Sequence, residues 1–314
     1  MTRILRKSFL KRNLIFIAVG ILIACIFFVC LIVREAKKDQ ISTDDVPEIA
    51  TTTIDYSPEL AGIQAKAYYV YDLDENKVLF AKDEHEELPL ASVTKLMSGL
   101  VIMNNLPAST IVNIRAVDLG YDGNGGKLVV GEKWNPQSLL NYSLIMSSND
   151  GIMALARTLD AYEGQNASDT VALMNHEAEI IGLHNTIFMN PTGLDLSATT
   201  SGAYSSAYDV TMLLKTILRD DLMLVSHTTR TSEDFVSLSN IEHVTINTDA
   251  SINEIPNLIA SKTGYTDLAG GNLAIAYDAG FAHPIISVVL GSTEDGRFTD
   301  MEKLVHVTLE RLSQ

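Results

Sequence analysis

Cysteine is nearly missing from this 314-residue chain: there are two, Cys25 and Cys30, both close to the N-terminus. Five residues apart on a helix they face different sides, so no disulfide framework exists, and cysteine-protease and thiolate-metal chemistry are excluded beyond residue 30. Positive charge is scarce as well, with 23 Lys and Arg against 39 Asp and Glu, a formal net charge of −16. The deficit is uneven. Residues 1–38 carry eight basic groups against Glu35, or +7, which leaves 15 basic and 38 acidic groups, or −23, on the remaining 276. Nucleic-acid binding needs a basic footprint on the phosphates, and this body is the reverse; its acidic surface serves dispersion.

Several catalytic signatures are missing too. No G-x-S-x-G elbow surrounds any serine and the seven histidines are scattered, so a histidine-based triad has no support. His176–Glu179 (HEAE) lacks a second histidine at position 180 and reads as a solvated helix face rather than a zinc-protease helix. GYDGNGGKL has Tyr121 where a phosphate loop needs its first glycine and Leu128 after Lys127. DLDENK has Lys77 where a calcium loop needs glycine, and reads as a hairpin turn. There is no internal repeat and no low-complexity block.

One long apolar run is present. Leu14–Val33, LIFIAVGILIACIFFVCLIV, is twenty residues without a charge, enough as a helix to cross a hydrocarbon core of about 30 Å. Five basic residues precede it and three, offset by Glu35, follow, which places segment 1–13 in the cytoplasm and the body outside. LIAC at Leu22–Cys25 resembles a lipobox, yet the apolar stretch continues through IFFVCLIV, and no small-x-small exit precedes Arg34. The expectation is a single transmembrane helix over 14–33, a flexible polar tether over 34–58 and an extracytoplasmic domain over 59–314 at the cell membrane. A tether of that length holds the domain some tens of ångströms from the bilayer. With 46% hydrophobic residues the domain can bury a substantial core.

AKAYYVYDL and KVLFAKD flank Asp74–Asn76 as strand, turn and strand. SVTKLMSGLVIMNNL spaces Val93, Leu96, Met97 and Leu100 for one buried helical face. Residues 138–162 read as helical with an interruption at Ser147–Asn149, and further helices are expected near 169–181 and 207–218. Past Asn257 the pattern turns extended (NLIASKTG, NLAIAYD, PIISVVLGS), and FTDMEKLVHVTLERL closes the chain as an amphipathic helix. These elements imply a mixed α/β (α+β) fold: an antiparallel sheet completed by both ends of the chain, flanked by helices, with a helical lobe inserted.

Three short motifs fall in register on this frame: Ser92-Val-Thr-Lys95 at a helix head, Ser147-Ser148-Asn149 at a helix break, and Lys262-Thr263-Gly264 at the end of an apolar strand. S-x-x-K alone is weak, since it recurs at Ser8–Lys11 beside the apolar run, and Ser92 could be a cap and Lys95 a snorkelling edge residue. All three together resemble the penicillin-binding proteins and serine β-lactamases. KTGYTDLAGGNLA, FMNPTGLD (Phe188–Asp195) and the closing RFTDMEKL narrow the resemblance to the low-molecular-mass D-alanyl-D-alanine carboxypeptidases.

Physical logic stands beside the resemblance. Residues three apart on a helix share a face, so Lys95 can reach the Ser92 hydroxyl, and a helix N-terminus favours negative charge developing there. Lys95 acts as a base only if its pKa falls, and burial together with the second cation, Lys262, pushes it down. What the resemblance adds is a role for each remaining position. Ser147 would relay a proton to the leaving amine, and Asn149 would hold Lys95 and the substrate amide. Lys262 and Thr263 would receive the substrate carboxylate, Gly264 would let its backbone lie against the strand, and the Ser92 and Tyr265 amides would form the oxyanion hole. Arg297 would stand near the terminal carboxylate. The implied activity is acyl-serine removal of the terminal D-alanine from peptidoglycan stem peptides, without metal or cofactor, with β-lactams as covalent inhibitors. The middle motif reads SSN rather than SDN or SGN, and no E-x-x-L-N element lies between Asn149 and Lys262, so fast β-lactamase turnover is not expected. Endopeptidase or transpeptidase action on cross-links, and a non-turnover β-lactam sensor, remain the alternatives.

Overall fold

The computed structural model describes residues 57–121, 127–163 and 170–314. The segments expected at 1–13 and 14–33, and nearly all of 34–58, lie outside the described residues. After a single helical turn, Ser57–Leu60, the aromatic and β-branched stretch forms the expected hairpin. Its strands are β1 (Ala67–Asp72) and β2 (Lys77–Lys82). Asp72 Oδ1 accepts the amides of Asp74 at 3.0 Å and Glu75 at 2.9 Å, and Asn76 closes the turn with φ 52°.

Three strands from the far end of the chain complete this sheet: β3 (Leu258–Thr266), β4 (Gly270–Asp278) and β5 (Pro284–Ser292). The order is β3-β4-β5-β1-β2, antiparallel throughout, with Ala67 opposite Leu290 and Asp72 opposite Ile285. Both faces of the sheet are apolar, so each needs a cover. On one face Val70, Ile275, Ile285 and Val289 meet Met301, Leu304, Val305 and Val307 of the last helix, α6 (Gly296–Leu312). Each such side chain withdrawn from water contributes about 1.5–3 kcal/mol. On the other face Tyr69, Ala274, Ala276 and Val288 meet the helical lobe. That lobe comprises α1 (Lys95–Asn105), α2 (Pro136–Met146), α3 (Asn149–Glu163), α4 (Thr170–Ile181) and α5 (Ala207–Asp220).

Two features depart from the sequence reading. First, α1 has no solvent face at all over its first two turns. Beyond Leu96, Met97 and Leu100, the structure also buries Ser98, Gly99, Val101 and Ile102, because α2, α3, α4 and α5 all pack around it. Second, a separate hairpin pairs Ser232–Val236 with Glu242–Ile246. Its alternation is inverted relative to a usual half-buried strand: His243 and Thr245 point in with Phe235, whereas Val236, Val244 and Ile246 are exposed. His243 is accommodated by Glu132, whose Oε1 lies 2.6 Å from its Nε2.

Candidate active site

Ser92 lies in a 3₁₀ turn, Ala91–Thr94, that runs directly into α1, whose first residue is Lys95. No side chain caps either start, so Ser92 is not spent as a helix cap. Ala91, just before it, has φ 47°, a left-handed conformation costing a non-glycine residue on the order of 1–2 kcal/mol. Lys95 is fully buried. Its Nζ lies 2.7 Å from Ser92 Oγ, 2.6 Å from Asn149 Oδ1 and 3.0 Å from the main-chain oxygen of Thr192. The last two atoms can only accept a hydrogen bond, whereas Ser92 Oγ can accept or donate.

The Thr192 oxygen has no counterpart among the residues singled out from the sequence. FMNPTGLD carried the family resemblance but no assigned role, and its Asn-Pro-Thr-Gly run has the composition of an ordinary turn. In the structure Asn190 Oδ1 accepts from Thr192 N at 3.1 Å, Thr192 Oγ1 at 3.0 Å and Gly193 N at 2.7 Å, which shapes the turn and aims the carbonyl at Lys95. Gly193 has φ 80°, and a Cβ there would stand 1.9 Å from the Ala91 oxygen. The turn therefore presses directly on the segment that carries Ser92.

Ser147 ends α2 in a left-handed conformation, φ 59° and ψ 30°. This breaks the helical run where the sequence suggested and frees Asn149 to start α3 toward Lys95. Ser148 has a structural part: its amide donates to Ser143 O at 2.9 Å and its Oγ accepts from Gly151 N at 3.1 Å, capping α3. Across the cleft, Lys262 projects from β3, the edge strand of the sheet. Its Nζ donates to Ser147 Oγ at 3.0 Å and to Thr263 O at 2.9 Å. Burial pushes the Lys262 amine well below the usual lysine range, helped by repulsion from Lys95 and Arg297 and opposed by Asp249. The fall expected at Lys95 from burial and Lys262 has a counterpart in the structure, a fall at Lys262 to which Lys95 contributes.

The rest of the third motif lines the same cleft. Thr263 Oγ1 shares a 2.6 Å hydrogen bond with Thr248 Oγ1. A Cβ on Gly264 would lie 2.7 Å from Leu90 O and 3.2 Å from Ser92 N, so the strand passes close against the nucleophile-bearing turn only because no side chain intervenes. Tyr265 is exposed beside it. Arg297, the second residue of α6, is buried; its Nη1 donates to Gly264 O at 3.0 Å and its guanidinium lies over the rings of Phe298 and Tyr265. Burial lowers its pKa, against the opposing charges of Glu294, Asp249 and Asp295. The buried Nε of Arg297 finds no acceptor among the described residues. The fold thus gathers Ser92, Lys95, Ser147, Asn149, Lys262, Thr263 and Gly264 into one cleft, with Tyr265 and Arg297 at its rim. Among the described residues no cluster of His, Cys, Asp or Glu is arranged to hold a metal ion.

A family model described as D-alanyl-D-alanine carboxypeptidase matches residues 52–294. The chain is 31% identical over 248 residues to D-alanyl-D-alanine carboxypeptidase DacF of Bacillus subtilis, covering 77% of this chain and 61% of that one. It is 30% identical over 232 residues to D-alanyl-D-alanine carboxypeptidase DacB2 of Mycobacterium tuberculosis, covering 74% and 77% respectively. The crystal structure of a D-alanyl-D-alanine carboxypeptidase from Mycobacterium tuberculosis H37Rv superposes with a TM-score of 0.67 at 25% identity, over 79% of this chain and 91% of the other.

Proposed function

This chain belongs to the D-alanyl-D-alanine carboxypeptidase family, and from that premise we propose that it removes the terminal D-alanine from peptidoglycan stem peptides through an acyl-serine intermediate. The observation that carries the reading is the contact of Lys95 Nζ with Ser92 Oγ, beside the acceptor oxygens of Asn149 and Thr192. A neutral amine has two N–H donors and one lone pair. Asn149 Oδ1 and Thr192 O take the two donors, so the lone pair faces the hydroxyl of Ser92 at 2.7 Å.

The chemistry then follows from the neighbours. Lys95 takes the Ser92 proton as Oγ attacks the carbonyl carbon of the penultimate D-alanine, and the oxyanion is received by the amides of Ser92 and Tyr265, a contribution of about 3–4 kcal/mol where a single such donor is removed from comparable sites. Ser147, hydrogen-bonded to Lys262, relays the proton held by Lys95 to the departing D-alanine nitrogen, giving up its own hydroxyl proton as it takes that one, and the C–N bond breaks to leave the Ser92 ester and a neutral Lys95. Water, deprotonated along the same route, hydrolyses that ester. Lys262, Thr263 and Arg297 receive the terminal carboxylate, for which the buried Nε of Arg297 retains an unused donor among the described residues. A β-lactam presents the same carboxylate and a strained amide, and acylates Ser92. The enzyme is held at the outer face of the cell membrane by the apolar helix 14–33 and the tether that follows.

The test is D-alanine release from an acyl-lysyl-D-alanyl-D-alanine peptide by the full chain in detergent, alongside Ser92→Ala. Release by the native chain, absent in the variant, supports the assignment. β-Lactam labelling of Ser92 without release would overturn it in favour of a cross-link-specific enzyme or a sensor.

A further inference from the structure

Asp249 has no role in the chemistry above and yet is 3% exposed, a carboxylate sealed inside the domain beside the cleft. Its Oδ2 accepts from Ser261 Oγ at 2.6 Å, and its Oδ1 from Ser251 N at 2.9 Å and Ser251 Oγ at 2.7 Å. Ser261 immediately precedes Lys262. Thr248, immediately before Asp249, bonds to Thr263, immediately after Lys262, and its amide donates at 3.3 Å to the Ile145 oxygen, two residues before Ser147. Two consecutive residues, Thr248 and Asp249, therefore bracket Lys262 on β3 from both sides and tie the strand to the helix end that carries Ser147.

From this geometry we infer that Asp249 is a positioning residue for recognition of the substrate's terminal carboxylate: it fixes the strand segment bearing Lys262 and Thr263, and it is a buried negative charge behind the two cations, Lys262 and Arg297. The inference rests on the functional reading above and deepens it. Burying a carboxylate costs free energy unless hydrogen bonds and nearby cations compensate it. Here hydroxyl and amide donors satisfy both oxygens, and the charge acts on both cations: it opposes the depression of Lys262 and that of Arg297. The charged groups facing Lys262 are Lys95 from α1, Arg297 from α6 and Asp249 itself. Near Asp249 stand also Glu254, in the loop before β3, and Glu302 of α6, whose pKa is raised by burial first and then by the carboxylates of Glu254 and Asp249. Removing the Asp249 charge leaves Lys262 and Arg297 repelling each other without that buried anion beside them, so Lys262 gives up its proton at lower pH.

The experiment compares the native full chain with Asp249→Asn and Ser261→Ala, measuring kcat and KM for acyl-lysyl-D-alanyl-D-alanine across pH 5 to 10. The asparagine variant removes the charge; its oxygen can still accept from the Ser251 amide while its NH2 donates to the Ser261 hydroxyl, which then accepts. It is expected to raise KM about tenfold with kcat changed less, and to move the basic limb of kcat/KM toward lower pH. Ser261→Ala loses the strand anchor and keeps the charge, so its basic limb stays in place. Unaltered thermal unfolding of the asparagine variant shows that the fold is retained. If Asp249→Asn leaves the basic limb where it is in the native enzyme, or lowers kcat and kcat/KM equally, the inference is overturned while the activity stands. If the native chain releases no D-alanine, the functional reading itself fails and takes the inference with it.

Discussion

The Nζ atom of Lys262 lies 3.0 Å from Oγ of Ser147, and both belong to motifs separated by more than a hundred residues of sequence. That contact joins the edge strand β3 to the helical lobe, and it does so with a lysine that the interior penalises.

The penalty can be read out. A lysine whose folded pKa is lowered destabilises the fold fully at pH values below that pKa, and the destabilisation fades as pH rises toward the unfolded value. Lys262→Met is therefore expected to abolish D-alanine release and at the same time to raise the melting temperature. Each 1 kcal/mol relieved corresponds to roughly 2–4 °C for a domain of this size. The gain should be larger at pH 6 than at pH 10, as followed by thermal melts at both values.

Lys95→Arg tests the identity of the base. The guanidinium keeps donors toward Asn149 and Thr192 but is always charged and so cannot take up the Ser92 proton. Release of D-alanine should fall by about 10²–10⁴-fold, the usual worth of a positioned general base. Retained activity in the arginine variant would remove Lys95 from the proton-transfer step.

Gly193→Ala and Gly264→Ala probe the two close approaches to the Ser92 turn. The first requires a left-handed alanine whose Cβ overlaps the Ala91 oxygen, and the second a Cβ 2.7 Å from Leu90 O. Both contacts are with backbone, which cannot rotate aside. Losses of at least about 1–3 kcal/mol in denaturant unfolding are expected, with Gly193→Ala the larger.

Asp72 provides a stability test away from the cleft. Its burial raises the carboxyl pKa, but the amides of Glu75 and Asp74 and the His283 ring, at 2.8 Å, outweigh this and hold it below the model-peptide value of 3.8. A carboxylate depressed in the folded state contributes stability above its unfolded pKa and loses it as pH falls through the folded one. Asp72→Asn should therefore cost stability at pH 6 and much less at pH 2, measured by urea unfolding at the two values.

Much of the cleft was legible because its side chains are encoded by type at fixed spacing: Ser92 and Lys95 one helical turn apart, Ser147 and Asn149 at a helix break, Lys262 to Gly264 on a strand. The order of elements was legible for the same reason, since the near-continuous apolar runs YYVY and IISVVL match a sheet covered on both faces. Three parts were not. The Thr192 contribution comes from a main-chain oxygen, which every residue possesses, and only the Asn190 hydrogen bonds aim it. The left-handed backbone at Ala91 and Ser147 is invisible in residue types that ordinarily avoid it. The 232–246 hairpin hid because it turns His243 and Thr245 inward and leaves Val244 and Ile246 in solvent, the opposite of the pattern that marks a strand.

The sheet that carries Lys262 is closed by strands from opposite ends of the domain, Ala67 pairing with Leu290. Contacts between such distant positions form late, after the loop-closure entropy of the intervening lobe has been met. A growing polypeptide thus holds Ser92 and Lys95 together across the short 3₁₀ turn that leads into α1 early, but without the lysine, threonine and glycine of β3 to face them. Under the proposed acyl-serine chemistry, reaction with a β-lactam requires those strands, and the rate at which a refolding sample gains it would time the arrival of β3, β4 and β5.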